Sequence, residues 1–114
     1  MKQQLQNTRI AQNKIHDVLR NDRRRWTIQY LKQRLKPVDV RELSEKVAAM
    51  EIGKSPPPRD VRRSVYNALN QTHLPKLDEI GLVQYDRDRK TVSLCDDARD
   101  VDIYMNVVSP VGIT

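Results

Sequence analysis

The chain has 114 residues with 21 Lys plus Arg against 15 Asp plus Glu, a net charge of +6 and a pI near 9.7. That length fits one compact domain with short tails and excludes a large two-lobed enzyme; it buries roughly two thirds of its extended-chain surface on folding, enough to stand without staples. Cys95, the single cysteine, rules out an intrachain disulfide and a multi-cysteine zinc site and fits a reducing compartment.

No apolar run approaches the roughly 18 residues that span a bilayer, and Met1-Lys2-Gln3-Gln4 opens a polar stretch rather than a signal peptide. A cytoplasmic protein is therefore expected. The charge is lopsided: residues 1–36 hold ten Lys/Arg and two Asp, whereas residues 37–114 hold eleven Lys/Arg and thirteen Asp/Glu. Such asymmetry points to an acidic partner, nucleic acid or an anionic membrane surface.

Residues 1–14 are rich in Gln and Asn with a sparse apolar stripe, and read as a polar arm or loosely attached helix. From Ile15 the pattern tightens. Ile15, Val18 and Leu19, then Trp26, Ile28, Tyr30, Leu31 and Leu35, keep helical spacing, so two helices or one kinked helix fill 13–35, with Asn21 or Asp22 as a cap. Pro37 closes that element, and Val38-Asp39-Val40 is a short extended link whose Asp39 can cap the next helix. That helix carries Val40, Leu43, Val47 and Met50 on one side and ends at Gly53. Lys54-Ser55-Pro56-Pro57-Pro58 then forms a loop, because consecutive prolines remove donors and favour extended geometry.

A longer helix is predicted from Arg59 to Ile80, with Val61, Val65, Leu69, Leu74, Leu77 and Ile80 inward and Gly81 as its stop. Pro75 in its interior predicts a bend near Gln71. Leu82-Val83-Gln84-Tyr85 and Thr91-Val92-Ser93-Leu94 are β-biased runs joined by Asp86-Arg87-Asp88-Arg89-Lys90, a hairpin with a charged tip. Asp96 or Asp97 can cap a last helix with Val101, Tyr104, Met105 and Val108 as its apolar stripe. The chain thus divides into an arm (1–14), a domain (15–95) and a C-terminal helix and tail (96–114). The fold class is mainly α with a small β-hairpin.

Helix, link, helix, loop, longer helix and charged hairpin follow one another in the order of a winged helix-turn-helix, a three-helix core plus wing, here with N- and C-terminal helical extensions. Leu74-Pro75-Lys76-Leu77-Asp78-Glu79-Ile80-Gly81-Leu82-Val83 resembles the end of the recognition helix and the first wing strand in many prokaryotic regulators. More narrowly, Asn21-Asp22-Arg23-Arg24-Arg25, Val40-Arg41-Glu42-Leu43, Gln71-Thr72-His73-Leu74-Pro75-Lys76-Leu77 and Tyr85-Asp86-Arg87-Asp88 resemble an archaeal winged-helix domain family common in haloarchaeal genomes, over about residues 15–95. Haloarchaeal proteins are usually acidic and this chain is basic, so a methanogen, another archaeon, or an archaeal virus or plasmid is equally open as its source. The resemblance implies a transcription-regulator-like fold; it supplies neither target nor effector.

The residues make a separate case for double-stranded DNA. A recognition helix in the major groove, roughly 12 Å wide, must expose side chains that match base edges. With Tyr66, Leu69, His73, Leu77 and Ile80 inward, Ser64, Asn67, Gln71 and Pro75 face outward, flanked by Thr72 and Lys76. Asn67 and Gln71 are the expected base readers, since amides pair bidentately with adenine. Arg59, Arg62 and Arg63 at the helix start suit phosphates, with Arg63 also in reach of guanine. Arg87, Arg89 and Lys90 form the wing tip, opposed in part by Asp86 and Asp88. Arg23 and Arg24 are expected on the backbone, although neighbouring helical positions splay by about 100° and one or two of the Arg23-Arg24-Arg25 triplet can instead pair with carboxylates.

No Ser/His/Asp order, Gly-rich phosphate loop or paired-carboxylate site is present, so catalysis, cofactors, metals and small-molecule substrates are not expected. His73 reads as a structural, hydrogen-bonded core histidine and Cys95 as a small buried filler. Val101, Tyr104, Met105 and Val108 need cover, in their own chain or in a second copy; a homodimer is favoured, since two-fold pairing of half-sites enlarges the DNA contact. The expectation is a sequence-specific transcriptional regulator at the nucleoid. The alternative is a winged-helix protein-docking module of a replication or transcription complex, and RNA ranks below both because the strands lack an aromatic stacking platform.

Overall fold

The computed structural model describes residues 15–96 and residue 98. A helical stretch at 15–18 leads through a turn into helix α1 (Asp22–Lys32); strand β1 (Val38–Asp39) runs directly into helix α2 (Val40–Ile52). Helix α3 (Arg59–Ala68), a π-turn (Leu69–His73) and helix α4 (Leu74–Glu79) form one consecutive helical arm, followed by strands β2 (Val83–Asp86) and β3 (Thr91–Leu94). The described chain is mainly helical with one small antiparallel sheet.

Local chemistry sets each boundary. The Asn21 side chain accepts from the Arg24 amide and caps α1; the Asp39 side chain accepts from the Arg41 amide at 2.7 Å and caps α2. Gly53 closes α2 in the left-handed region at φ 81°, where a residue without Cβ carries no steric penalty, and its amide bonds the Ala49 carbonyl. At the end of α4, Gly81 (φ 86°) lets the Leu82 amide reach back to the Leu77 carbonyl at 2.9 Å.

Three expectations are corrected here. Leu35 does not continue the apolar row of α1: that helix ends at Lys32, the chain turns and bends ahead of Pro37, and Leu35 is 90% exposed. Nor is 59–80 one α-helix. Pro75 has no N–H and its ring crowds the carbonyl four residues back, so the arm widens into a π-turn in which the Leu74 amide bonds the Leu69 carbonyl, five residues back. The departure from α geometry spans Gln71, where the sequence predicts a bend. Met50, expected on the buried stripe of α2, is exposed.

Val38-Asp39 is more than a link. It forms the edge of a three-stranded sheet of order β1-β3-β2, with Val38 opposite Val92, and Tyr85 also opposite Val92 on the other side. The single core joins the lead-in (Ile15, Val18, Leu19), α1 (Ile28, Leu31), α2 (Leu43, Val47), the arm (Val65, Leu69, Leu74, Leu77) and the sheet (Val38, Val83, Val92), and Ala98 still packs on it. Buried Thr27 and Ser44 donate their hydroxyls to the Arg23 and Arg41 carbonyls of their own helices. The arm and the terminal strands therefore share one hydrophobic base, and their outward surfaces are held in a fixed relation. Residues 1–14 and 99–114, which carry the predicted arm and the stripe Val101, Tyr104, Met105 and Val108, lie outside the described residues.

Candidate nucleic-acid interface

Amphipathic spacing gives α3 a strongly two-sided character. Val65 is fully buried, Val61 and Tyr66 pack at the core margin, and Arg59, Arg63, Ser64 and Asn67 are exposed, with Arg62 half-buried. Beyond Ala68 the π-turn adds a residue to the turn; it leaves Gln71 and Thr72 exposed, and Lys76 is exposed on α4. Pro75 is half-buried. Arg59, Asp60, Arg63, Ser64 and Asn67 line a shallow hollow of about 410 Å³. The expected base readers Asn67 and Gln71 and the expected phosphate contacts Arg59 and Arg63 are thus all solvent-facing on one helical arm.

Asn70, by contrast, is engaged within the fold. Its Nδ2 donates to the Tyr66 carbonyl, and its Oδ1 accepts from the Tyr85 hydroxyl at 2.6 Å. The Tyr85 amide in turn donates to Asp78 Oδ2 at 2.8 Å. These bonds tie β2 to the arm, and the β3 end is tied to α2 through the Val40 amide, which donates to the Lys90 carbonyl. Neither Asn70 nor Tyr85 stands out in the sequence, because the bond joins residues fifteen positions apart.

The hairpin tip is self-supporting. Asp86 Oδ1 accepts from both the Asp88 and Arg89 amides, and Lys90 takes φ 57° to close the turn. Asp86 is therefore a turn former more than an opposing charge. Arg87, Arg89 and Lys90 are exposed; Arg89 lies 4.0 Å from Asp86, and at 83% side-chain exposure that pair is weak.

The N-terminal arginines have a different fate. Arg23 makes a bidentate pair with Glu51 at 2.6 and 3.0 Å, which holds the Glu51 carboxyl below the usual carboxylate range. Arg24 donates its Nε to His73 Nδ1 at 3.0 Å. Arg25 donates to the Leu19 and Arg20 carbonyls and pairs with Asp22. His73 is 7% exposed; burial, then Arg24, Arg23 and Lys76, lower its pKa to about 4, so it is neutral at pH 7 with Nδ1 as the acceptor. It is the hydrogen-bonded core histidine that its position suggested. Arg23 and Arg24, expected to grip a partner, are instead spent on α2 and on the π-turn.

Among the described residues, Arg59, Arg63, Lys76, Arg87 and Lys90 carry no ion pair, whereas Arg62 meets Glu45 at 3.6 Å and Arg34 meets Glu42 at 3.4 Å. Uncompensated positive charge thus lies on the arm and the hairpin tip. Among the same residues no group of three His, Cys, Asp or Glu side chains comes together as metal ligands, and no helix is long and apolar enough to cross a membrane.

A small, mainly helical domain with a three-stranded sheet and one basic, amide-bearing face is what fold and site define. The chain belongs to the family described as Domain of unknown function (DUF7344), whose model matches residues 16–93, more than two thirds of its length. No curated protein and no solved structure matches the chain.

Proposed function

We propose that this protein is a sequence-specific, double-stranded DNA-binding transcriptional regulator built as a winged helix-turn-helix, with the arm of α3 and the π-turn in the major groove and the 86–90 tip on the backbone or minor groove. One observation carries the reading: the exposed row of Arg59, Arg63, Ser64, Asn67 and Gln71 combines amides suited to base edges with guanidinium groups that have no carboxylate partner among the described residues. The run of helices followed by a hairpin, and the small antiparallel sheet of order β1-β3-β2, support it. Homodimerisation on paired half-sites at the nucleoid completes the proposal.

The test is fluorescence anisotropy of a labelled random-sequence duplex over a salt series, followed by site selection. Micromolar binding with a steep salt slope is expected. Asn67→Ala and Gln71→Ala relax sequence preference, whereas Arg87→Ala with Arg89→Ala weakens all sequences alike. Absence of binding even at low salt overturns the reading and shifts it to a protein-docking module, to be sought as a stable co-purifying partner. Sedimentation of the full chain with and without a selected site reads its stoichiometry.

A further inference from the structure

A second basic feature lies beside the arm. Between the first turns of α2 and the length of α3 is an open cleft of about 820 Å³, walled by Arg41, Arg59, Arg62 and Arg63, with Tyr66 and Glu45 among its other residues. Three carboxylates also face it, and their engagements differ. Asp39 is occupied in capping the Arg41 amide. Glu42 accepts from the Tyr30 hydroxyl and pairs with Arg34 outside the cleft. Among the described residues only Glu45 pairs across the cleft, with Arg62, and at 3.6 Å that contact is longer than a hydrogen bond; the Arg62 Nε is buried with no acceptor among them.

Arg41, Arg59 and Arg63 therefore converge on the cleft with no carboxylate partner among the described residues, beside a fourth guanidinium that is incompletely satisfied. Planar donors clustered in this way match the several acceptor oxygens of a phosphate better than any neutral ligand. We propose that the cleft is a phosphate-binding site and, resting on the DNA reading above, that it seats one backbone phosphodiester with Arg41 as the anchor. Glu45 opposes occupancy, holding Arg62 until a phosphate oxygen replaces its carboxylate. Arg41 escapes a search confined to the long helix, because it belongs to α2 and reaches the cleft only through the packing of α2 on α3.

Arg41 is exposed, and the bonds of its amide to Asp39 and of its carbonyl from Ser44 are backbone interactions that survive truncation. Arg41→Ala is thus expected to melt where the parent does, which circular dichroism checks. In anisotropy with the full chain and a labelled duplex, Arg41→Ala lowers affinity about five-fold near 0.15 M salt and reduces the log-log salt slope by about one, the effect of a single lost phosphate contact. Glu45→Gln raises affinity. In parallel, inorganic phosphate titrated at constant ionic strength into the isotope-labelled chain shifts the Arg41, Arg59 and Arg63 resonances saturably, and the response is lost in Arg41→Ala. If duplex binding is strong and its slope is unmoved by Arg41→Ala while phosphate still saturates the cleft, a free phosphate is the ligand and the backbone assignment is overturned. Saturation by phosphate in a chain that ignores duplex DNA keeps the site and removes the DNA reading. A salt slope unmoved by Arg41→Ala together with no saturable phosphate response in the parent overturns the proposal outright.

Discussion

Two arginine-rich regions of this molecule look alike in composition and behave as opposites. Arg23-Arg24-Arg25 opens α1, and Arg59, Arg62 and Arg63 open α3. The first set is absorbed: one guanidinium clamps the end of α2, one caps a buried histidine, and one closes the turn that precedes its own helix. Of the second, Arg59 and Arg63 project with no carboxylate partner among the described residues and Arg62 is held loosely. Charge count along a chain therefore says where positive residues are made, while pairing in the fold decides which of them a partner meets. Residues 1–36 carry the larger formal excess, yet the described arginine triplet there is largely engaged within the fold, whereas Arg59 and Arg63 face solvent.

The contrast is sharpest if both regions are truncated. Arg59→Ala with Arg63→Ala removes two phosphate contacts and lowers duplex affinity about 30-fold near 0.15 M salt, with the salt slope reduced by about two and the melting temperature unchanged. Equal losses from Arg23→Ala with Arg24→Ala would break the comparison. Arg24→Ala instead acts on stability: it strips the acceptor on the buried His73 of its donor and costs about 1–3 kcal/mol by urea unfolding, with duplex affinity held within a factor of two.

His73 adds a pH signature. Its folded pKa, about 4, lies below the ordinary 6.5, so between those values the unfolded chain binds the extra proton. Its contribution to stability is complete above pH 6.5 and is lost as pH falls toward 4, at up to about 1.4 kcal/mol per pH unit. Urea unfolding of the parent and of His73→Gln across this window should show a steeper fall in the parent; parallel curves would remove His73 as the cause. The smallest effect is expected at Arg23→Gln, under about 1 kcal/mol, because its pair with Glu51 is partly exposed and water screens it.

Much of the domain is readable from local chemistry. Asn21, Asp39 and Gly53 mark helix ends through bonds that span a few residues, and the alternation around Val83 and Val92 announces the hairpin. Pro75 announces a fault in the long helix, although only the packed arm shows that the fault is a π-turn rather than a simple kink. What stays hidden is set by distant partners. Val38 becomes a strand only because Val92 lies opposite, and Arg24 becomes structural only because His73 is brought to it from 49 positions away. The candidate site divides in the same way: Asn67 and Gln71 are legible as one exposed turn, whereas Arg41 and the Tyr85–Asn70 bond depend on which helix packs on which.

The hairpin tip separates what keeps its shape from what it displays. Asp86 gathers two amides with a single oxygen, Lys90 supplies the left-handed corner, and neither function uses the side chains of Arg87 or Asp88. Those two positions are free to drift in sequence without loosening the turn, while Tyr85 and Val40 keep its root fixed to the arm and to α2. Substitutions at Arg87 and Asp88 can in this way change the charge that the tip displays without refolding anything beneath it.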